Sequence, residues 1–168
     1  RLEGRYTDKR HPDEVQFAKT IQEDLARRDF TVNAMALELK KGGGVVDPYG
    51  GERDLQAKVV RSVGDPTARF AEDALRLMRA VRLAVELGFE VESGTVHAAK
   101  AKAGLLEMIA KERIRDELTK IVMGERAAHG IALLEELGLL RYVLPELREG
   151  IGVAQNKHHI YTVYEHNL

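Results

Sequence analysis

The sequence predicts an α+β fold whose two parts are segregated along the chain, with strands before residue 65 and helices after it. Two observations predict this. Between residues 37 and 63 the apolar residues come in short β-branched or alternating runs, separated by Gly and Pro clusters. From Pro66 onward they recur at helical spacing, with Gly88, Gly124 and Gly138 as stops.

Composition bounds the function classes. The 168 residues leave room for one domain or two small ones. A hydrophobic share of 44% is ordinary for a globular protein, and 32% charged is high. A net charge of -1 gives no global signature of nucleic-acid binding, so any basic site must be local. The chain has no cysteine, which excludes disulfides, thiol catalysis and Cys-ligated zinc and suits a cytoplasmic location. No apolar run approaches the ~18 residues of a membrane helix, so no membrane partner is expected. No pattern sets an oligomeric state. The chain starts without Met and stops inside an incipient helix at His166-Asn167-Leu168, which reads as a fragment of a longer protein.

In order, residues 1–20 are polar and interrupted by Gly4 and Pro12. They read as a surface loop, with Val15-Gln16-Phe17 as a strand candidate. A helix is expected to begin near Phe30 to Asn33 with Thr31 as its cap, leading into a strand. Arg27, Arg28 and Asp29 then precede that helix. Free N–H groups and a positive dipole end gather there, so adjacent arginines fit a phosphate. An exposed charged turn explains the same pattern. Lys40 to Gly44 reads as a hairpin turn joining Leu37-Glu38-Leu39 to Val45-Val46-Asp47. It is not a phosphate loop, because no Gly-Lys-Ser/Thr follows. Asp47 to Gly51 forms a tight loop, Asp54-Leu55 opens a helical turn, and Val59 to Val63 is a strand closed by Gly64-Asp65-Pro66.

The helix after Pro66 is expected to run unbroken to about Glu86 and end at Gly88, since residues 69–82 hold no Gly or Pro. At about 100° per residue, Phe70, Ala74, Leu77, Met78, Val81, Ala84 and Val85 fall on one arc, a core face. Glu72, Asp73, Arg76 and Arg79 fall opposite, pairing an acceptor-only carboxylate with a donor-only guanidinium three residues on. This side is either a solvated ion-pair lattice or a reader of a flat group with mixed donors and acceptors. Further helices are expected over 93–102, from Met108 to Gly124, and over 125–137. Leu139 to Leu144 reads as a turn before Pro145. His11, His97 and His129 are scattered, and His158, His159 and His166 lack a following His-Asp pair, so no metal site is expected.

Four motifs occur in order: Arg27-Arg28-Asp29-Phe30-Thr31-Val32-Asn33-Ala34; Asp47-Pro48-Tyr49-Gly50-Gly51 with Asp54-Leu55; Glu72-Asp73 with Arg76 and Arg79-Ala80-Val81-Arg82; and Glu112-Arg113-Ile114-Arg115 with Glu117-Leu118. Together they resemble the class II tRNA nucleotidyltransferases (CCA-adding enzymes) and their relatives, the bacterial poly(A) polymerases. The resemblance spans roughly residues 1–124. Residues 138–147 resemble the following helical region of bacterial members, and residues 158–166 the entry to an HD domain.

The resemblance implies three parts: the C-terminal part of a nucleotidyltransferase head over 1–64, a helical neck over 65–124, and the start of a helical body over 125–168. It implies template-free addition of CCA, or part of it, to tRNA 3′ ends from CTP and ATP. It implies Mg²⁺, held by an Asp-x-Asp strand expected upstream of residue 1, so the covered chain alone would not catalyse. Residues 4–17 resemble the family's flexible loop. Arg28 would meet the triphosphate with Arg79 second, Asp29 the ribose 2′-OH, and Asn33 would hold the turn or touch the nucleotide. Asp73 and Arg76 would select the base. Cytosine and adenine both present an amino donor beside a ring-nitrogen acceptor, whereas uracil and guanine reverse the pattern, so one carboxylate with one guanidinium serves both. Glu72 would orient Arg76 or Arg79. Glu112, Arg113 and Arg115 would brace the reading helix, Asp47, Gly50 and Gly51 would shape the hinge, and Lys100, Lys102 and Lys111 form a solvated face or touch RNA. The alternatives are a poly(A) polymerase using ATP alone, an HD-domain phosphohydrolase, and a non-catalytic RNA-binding module.

Overall fold

A computed structural model describes residues 2–3, 15–16, 18–40, 42–155 and 160–166. The architecture is α+β, with short strands paired two by two and a helical majority after residue 65.

The first pair is antiparallel, β1 (Leu2–Glu3) with β2 (Val15–Gln16). The other residues of the 4–17 loop lie outside the described residues. Helix α1 (Ile21–Ala26) follows, where only a later helix was expected. The side chain of Thr20 caps it by accepting from Glu23 N, and the Glu23 carboxylate returns to Lys19 N at 2.7 Å. Residues Thr31–Asn33 form only a single 3₁₀ turn, and Thr31 is its first residue rather than its cap. Arg27 therefore closes a helix instead of preceding one.

The predicted hairpin forms: β3 (Ala36–Leu37) lies antiparallel to β4 (Val45–Val46). The next turn enters α2 (Gly51–Ala57), whose leading amides Gly51 N and Glu52 N donate to Asp47 at 2.7 and 3.0 Å. Gly51 has to be glycine because a Cβ there would lie 2.4 Å from the Thr31 carbonyl oxygen. Strand β5 (Val59–Val60) then pairs in parallel with β6 (Glu90–Val91) across an intervening helical crossover.

That crossover departs from expectation. It comprises two helices, α3 (Pro66–Glu72) and α4 (Leu75–Leu87), broken at Asp73. Asp65 caps α3 with Pro66 at its first position, and Gly88 ends α4 at φ +67°. No Gly or Pro marks the break. Asp73 is extended (φ -147°, ψ 103°), and its carboxylate accepts from Leu75 N at 3.0 Å. A short acidic side chain here satisfies the backbone in place of the helical ladder and starts a new helix.

Helix α5 (Ser93–Lys102) has the bounds expected. Residues Ala103–Met108 are 3₁₀, so α6 (Lys111–Val122) starts later than Met108. Helix α7 (Ala127–Glu136) is followed by α8 (Leu140–Val143) and α9 (Pro145–Arg148), where a plain turn was expected. Helix α10 (Val163–His166) closes the described chain.

Helix α4 is the spine. All seven residues of the predicted apolar arc are buried, with Phe70, Leu77, Met78 and Val81 fully so. Burying each large side chain contributes about 1.5–3 kcal/mol. One side of α4 packs on α6 and α7, and Ala80, Leu83 and Ala84 face Phe30 and Val60. Gly130 lets α7 approach, since a Cβ would sit 2.4 Å from Ile121 Cγ2 and 3.1 Å from Val85 Cγ2. The spine thereby fixes the α3–α4 break against the segment carrying Arg28 and Asp29.

Candidate nucleotide site

A cleft of about 480 Å³ opens where the end of α1, the 3₁₀ turn, the α3–α4 break and the first turn of α6 converge. Arg27, Arg28, Asp29, Asn33, Asp73, Leu75, Arg76, Arg79 and Arg113 line it. All six residues anticipated as nucleotide contacts are therefore in one place. Five arginines against two carboxylates give the wall a net positive character, a local basic site in a chain of net charge -1.

The 3₁₀ turn sets Asp29. It is only 8% exposed, and Oδ1 accepts from Phe30 N at 2.9 Å and Asn33 Nδ2 at 3.2 Å. Its Oδ2 takes Arg79 Nε at 2.7 Å and Arg79 Nη2 at 2.5 Å. Burial pushes the Asp29 carboxyl up, but the Arg79 charge and the bonds from Arg79, Asn33 and Phe30 outweigh it. The pKa lies below the usual carboxylate value. Beneath the turn, Thr31 Oγ1 donates to the buried Asp54 at 2.8 Å, and Arg61 Nε donates to the same oxygen at 3.0 Å.

The break sets Asp73 and Arg76. Asp73 Oδ1 accepts from Leu75 N, the first amide of α4, and Oδ2 receives Arg113 Nη2 at 3.1 Å. Arg76 is clamped by Nη1 to the Arg69 carbonyl (3.1 Å) and Glu72 (2.8 Å), and by Nη2 to the Arg27 carbonyl (3.2 Å). The i, i+3 pairing expected between Asp73 and Arg76 is replaced by these partners. Both groups keep capacity: each Asp73 oxygen has a second lone pair, and Arg76 Nε–H has no partner among the described residues. The arrangement offers a held acceptor and a held donor beside an arginine-lined wall, which suits a flat polar group bearing a polyphosphate.

The supporting residues divide. Glu72, expected to orient Arg76 or Arg79, pairs with Arg76 at 2.8 Å and with Arg69 at 3.0 Å. Glu112 and Arg115 do not brace the reading helix. Arg115 pairs with its neighbour Asp116 at 3.4 Å, and Glu112 makes no ion pair among the described residues. Arg113, the third residue of that group, does reach Asp73, and the buried Glu117 adds a second tie by accepting from Arg82 Nε at 2.6 Å. Leu75, in the wall, was not anticipated. It reaches the wall through the break, which no local pattern announces. Lys100 meets Glu136 at 3.5 Å on an exposed face, with Lys111 also exposed. His97 and His129 are exposed, and His11, His158 and His159 lie outside the described residues. Among the described residues, no three His, Asp or Glu are grouped to hold a metal ion. Asp29 and Asp73, committed to arginines, do not fit magnesium.

Comparisons with known proteins place the chain among relatives. Residues 1–61 match the family described as "Poly A polymerase head domain", and residues 88–151 the one described as "Probable RNA and SrmB- binding site of polymerase A". The CCA-adding enzyme of Limosilactobacillus fermentum is 47% identical over 150 residues, covering 89% of this chain and 37% of the relative. That of Anoxybacillus flavithermus is 46% identical over 147 residues, covering 88% and 36%. The chain thus spans about a third of the length of these curated relatives. Among solved structures, the Bacillus stearothermophilus CCA-adding enzyme in complex with CTP superposes with a TM-score of 0.72 at 43% identity. That match covers 76% of this chain and 32% of that one. The Thermotoga maritima CCA-adding enzyme, complexed with tRNA-CCA, gives 0.70 at 34% identity, covering 75% and 31%.

Proposed function

The chain belongs to the family of tRNA nucleotidyltransferases and bacterial poly(A) polymerases, and from that premise we propose that its protein adds CCA to tRNA from CTP and ATP. The observation that carries this reading is Asp73 and Arg76 held by separate partners on one wall of an arginine-lined cleft. That these relatives are CCA-adding enzymes favours CCA addition over poly(A) synthesis.

In this reading the 3′ hydroxyl of tRNA attacks the α-phosphorus of the nucleotide, and pyrophosphate leaves. The residues described here select and position. Asp73 accepts from the exocyclic amino group of C or A, and Arg76 Nε–H donates to the neighbouring ring nitrogen. Uracil or guanine sets a carbonyl against Asp73 and a ring N–H against Arg76, leaving buried groups unpaired at about 1–3 kcal/mol each. Arg28, then Arg79, contacts the triphosphate. Asp29 accepts from the ribose 2′-OH with its remaining lone-pair capacity, and Asn33 holds the turn beneath. Magnesium would supply activation of the hydroxyl and charge neutralisation at the leaving group. It finds no fitting ligand set among the described residues. The boundary between head (1–64) and neck (65–124) is supported by the head-domain match ending at residue 61, whereas the RNA-binding match over 88–151 runs across the proposed start of the body (125–168).

The test is incorporation of each of the four nucleotides into a tRNA lacking its 3′ CCA, using the whole protein. Wild type should take CTP and ATP, whereas a poly(A) polymerase takes ATP alone. Asp73→Ala and Arg76→Ala should erase the preference over UTP and GTP. Discrimination surviving both substitutions would overturn the assignment.

A further inference from the structure

We infer that Asp24, outside the wall of the cleft, is a positioning residue that makes Arg27 and Arg28 a paired polyphosphate clamp. The inference rests on the nucleotide reading above and extends it by assigning a triphosphate role to Arg27 and an orienting role to Asp24.

The geometry is specific. Asp24 lies in α1, and Arg27 and Arg28 follow it by three and four residues, so both can reach back to it. Its Oδ1 accepts from Arg27 Nε at 3.1 Å and from Arg27 Nη2. Its Oδ2 accepts from Arg28 Nε at 3.2 Å and Arg28 Nη2 at 2.8 Å. One carboxylate thus takes the same Nε–Nη2 edge of both guanidiniums. A guanidinium has a second edge, Nη1–Nη2, with the bidentate geometry that suits phosphate oxygens. In neither arginine does Nη1 bond to another described residue, and both arginines line the cleft. The grip therefore leaves the phosphate-binding edge of each available.

The same segment is tied to the base-reading side, since the Arg27 carbonyl accepts Arg76 Nη2 at 3.2 Å. Asp24 is held ionised by these contacts, led by the Arg27 hydrogen bond, at a pKa of about 2. The grip therefore persists at neutral pH.

Positioning and simple charge make opposite predictions. As a nearby negative charge alone, Asp24 weakens polyphosphate binding, and its removal should tighten it. As a positioning residue, its removal frees two long side chains that binding must then order, weakening binding about ten-fold. The experiment measures dissociation constants of inorganic tripolyphosphate and CTP for the full protein as wild type, D24N, D24A and D24E, and as R27A/R28A with and without D24A. Weaker binding to both ligands in D24N and D24A, partial recovery in D24E, and no further effect of D24A on R27A/R28A are expected. Unchanged or tighter binding in D24N overturns the inference, as does an equal loss in the R27A/R28A background. D24N, nearly isosteric, decides the matter if D24A fails to fold. If wild type binds neither ligand, or R27A/R28A leaves both affinities unchanged, the nucleotide reading itself fails.

Discussion

Replacing Arg79 by Met isolates the buried carboxylate beneath the cleft. Asp29 is 8% exposed, and both arginine bonds fall on Oδ2, at 2.7 and 2.5 Å. Met keeps much of the aliphatic stem and removes both donors. Oδ2 is then left without a partner among the described residues, while Oδ1 keeps Phe30 N and Asn33 Nδ2. Breaking a buried ion pair typically costs about 3–5 kcal/mol. Here Arg79 is 34% exposed and half the carboxylate stays bonded, so about 2–3 kcal/mol is expected. At a urea slope of about 2 kcal/mol/M, that lowers the denaturation midpoint by roughly 1–1.5 M. The pH dependence gives the sharper check. In wild type the folded pKa of Asp29 lies below the unfolded value, so its stabilisation is present above the unfolded pKa. It is lost as pH falls through the folded pKa. Without Arg79, burial dominates and the folded pKa rises, so the variant carries a penalty at neutral pH that protonation relieves. Each unit between the two folded pKa values is worth about 1.4 kcal/mol, and the stability gap must narrow as pH drops from 7 towards 4. Urea midpoints at both pH values measure it, and a gap that stays constant would refute the reasoning.

Asp54→Ala removes the buried acceptor of Thr31 and Arg61 and should cost about 1–3 kcal/mol by thermal unfolding. CTP affinity should fall with it, because Thr31 begins the turn that orients Asp29. Gly130→Ala drives a Cβ to 2.4 Å from Ile121 Cγ2 and should cost about 1–3 kcal/mol, a lowering of the unfolding midpoint by several degrees. Asp65→Ala strips the cap of α3, which accepts Thr67 N at 3.0 Å and Ala68 N at 3.3 Å. It should cost about 0.5–2 kcal/mol, read as a lower urea midpoint.

The elements most legible in the sequence are those whose ends carry their own chemistry. Asp65-Pro66 and Gly88 bound the crossover, Gly138 follows α7, and the heptad-like arc of α4 named its buried face correctly. Helix α1 was missed although Thr20 and Glu23 form a start signal, because the six-residue helix is too short to show a period. The break at Asp73 was illegible for a different reason. Propensity over 69–82 favours helix throughout, and one carboxylate bonding its own backbone overrides it locally. In the cleft, the six nucleotide candidates were legible because they sit in linear motifs. The Arg113–Asp73 contact spans 40 residues of sequence, so Arg113 reads as a brace without its partner, Glu112 and Arg115 group with it, and the buried Glu117 on Arg82 is not foreseen.

The Asp73 break also bears on how base preference could change under selection. One carboxylate is both the proposed base acceptor and the plug on the first amide of the α4 spine. A substitution there cannot alter base choice alone, because it also frays the helix on which the core is built. The arginine side is encumbered as well: Arg76 bonds the Arg69 carbonyl in the last turn of α3 and the carbonyl of Arg27, which closes α1, and Arg113 is tied to Asp73 itself. Either reading residue therefore ties base choice to helix ends, so a new nucleotide preference should come with a change in fold stability.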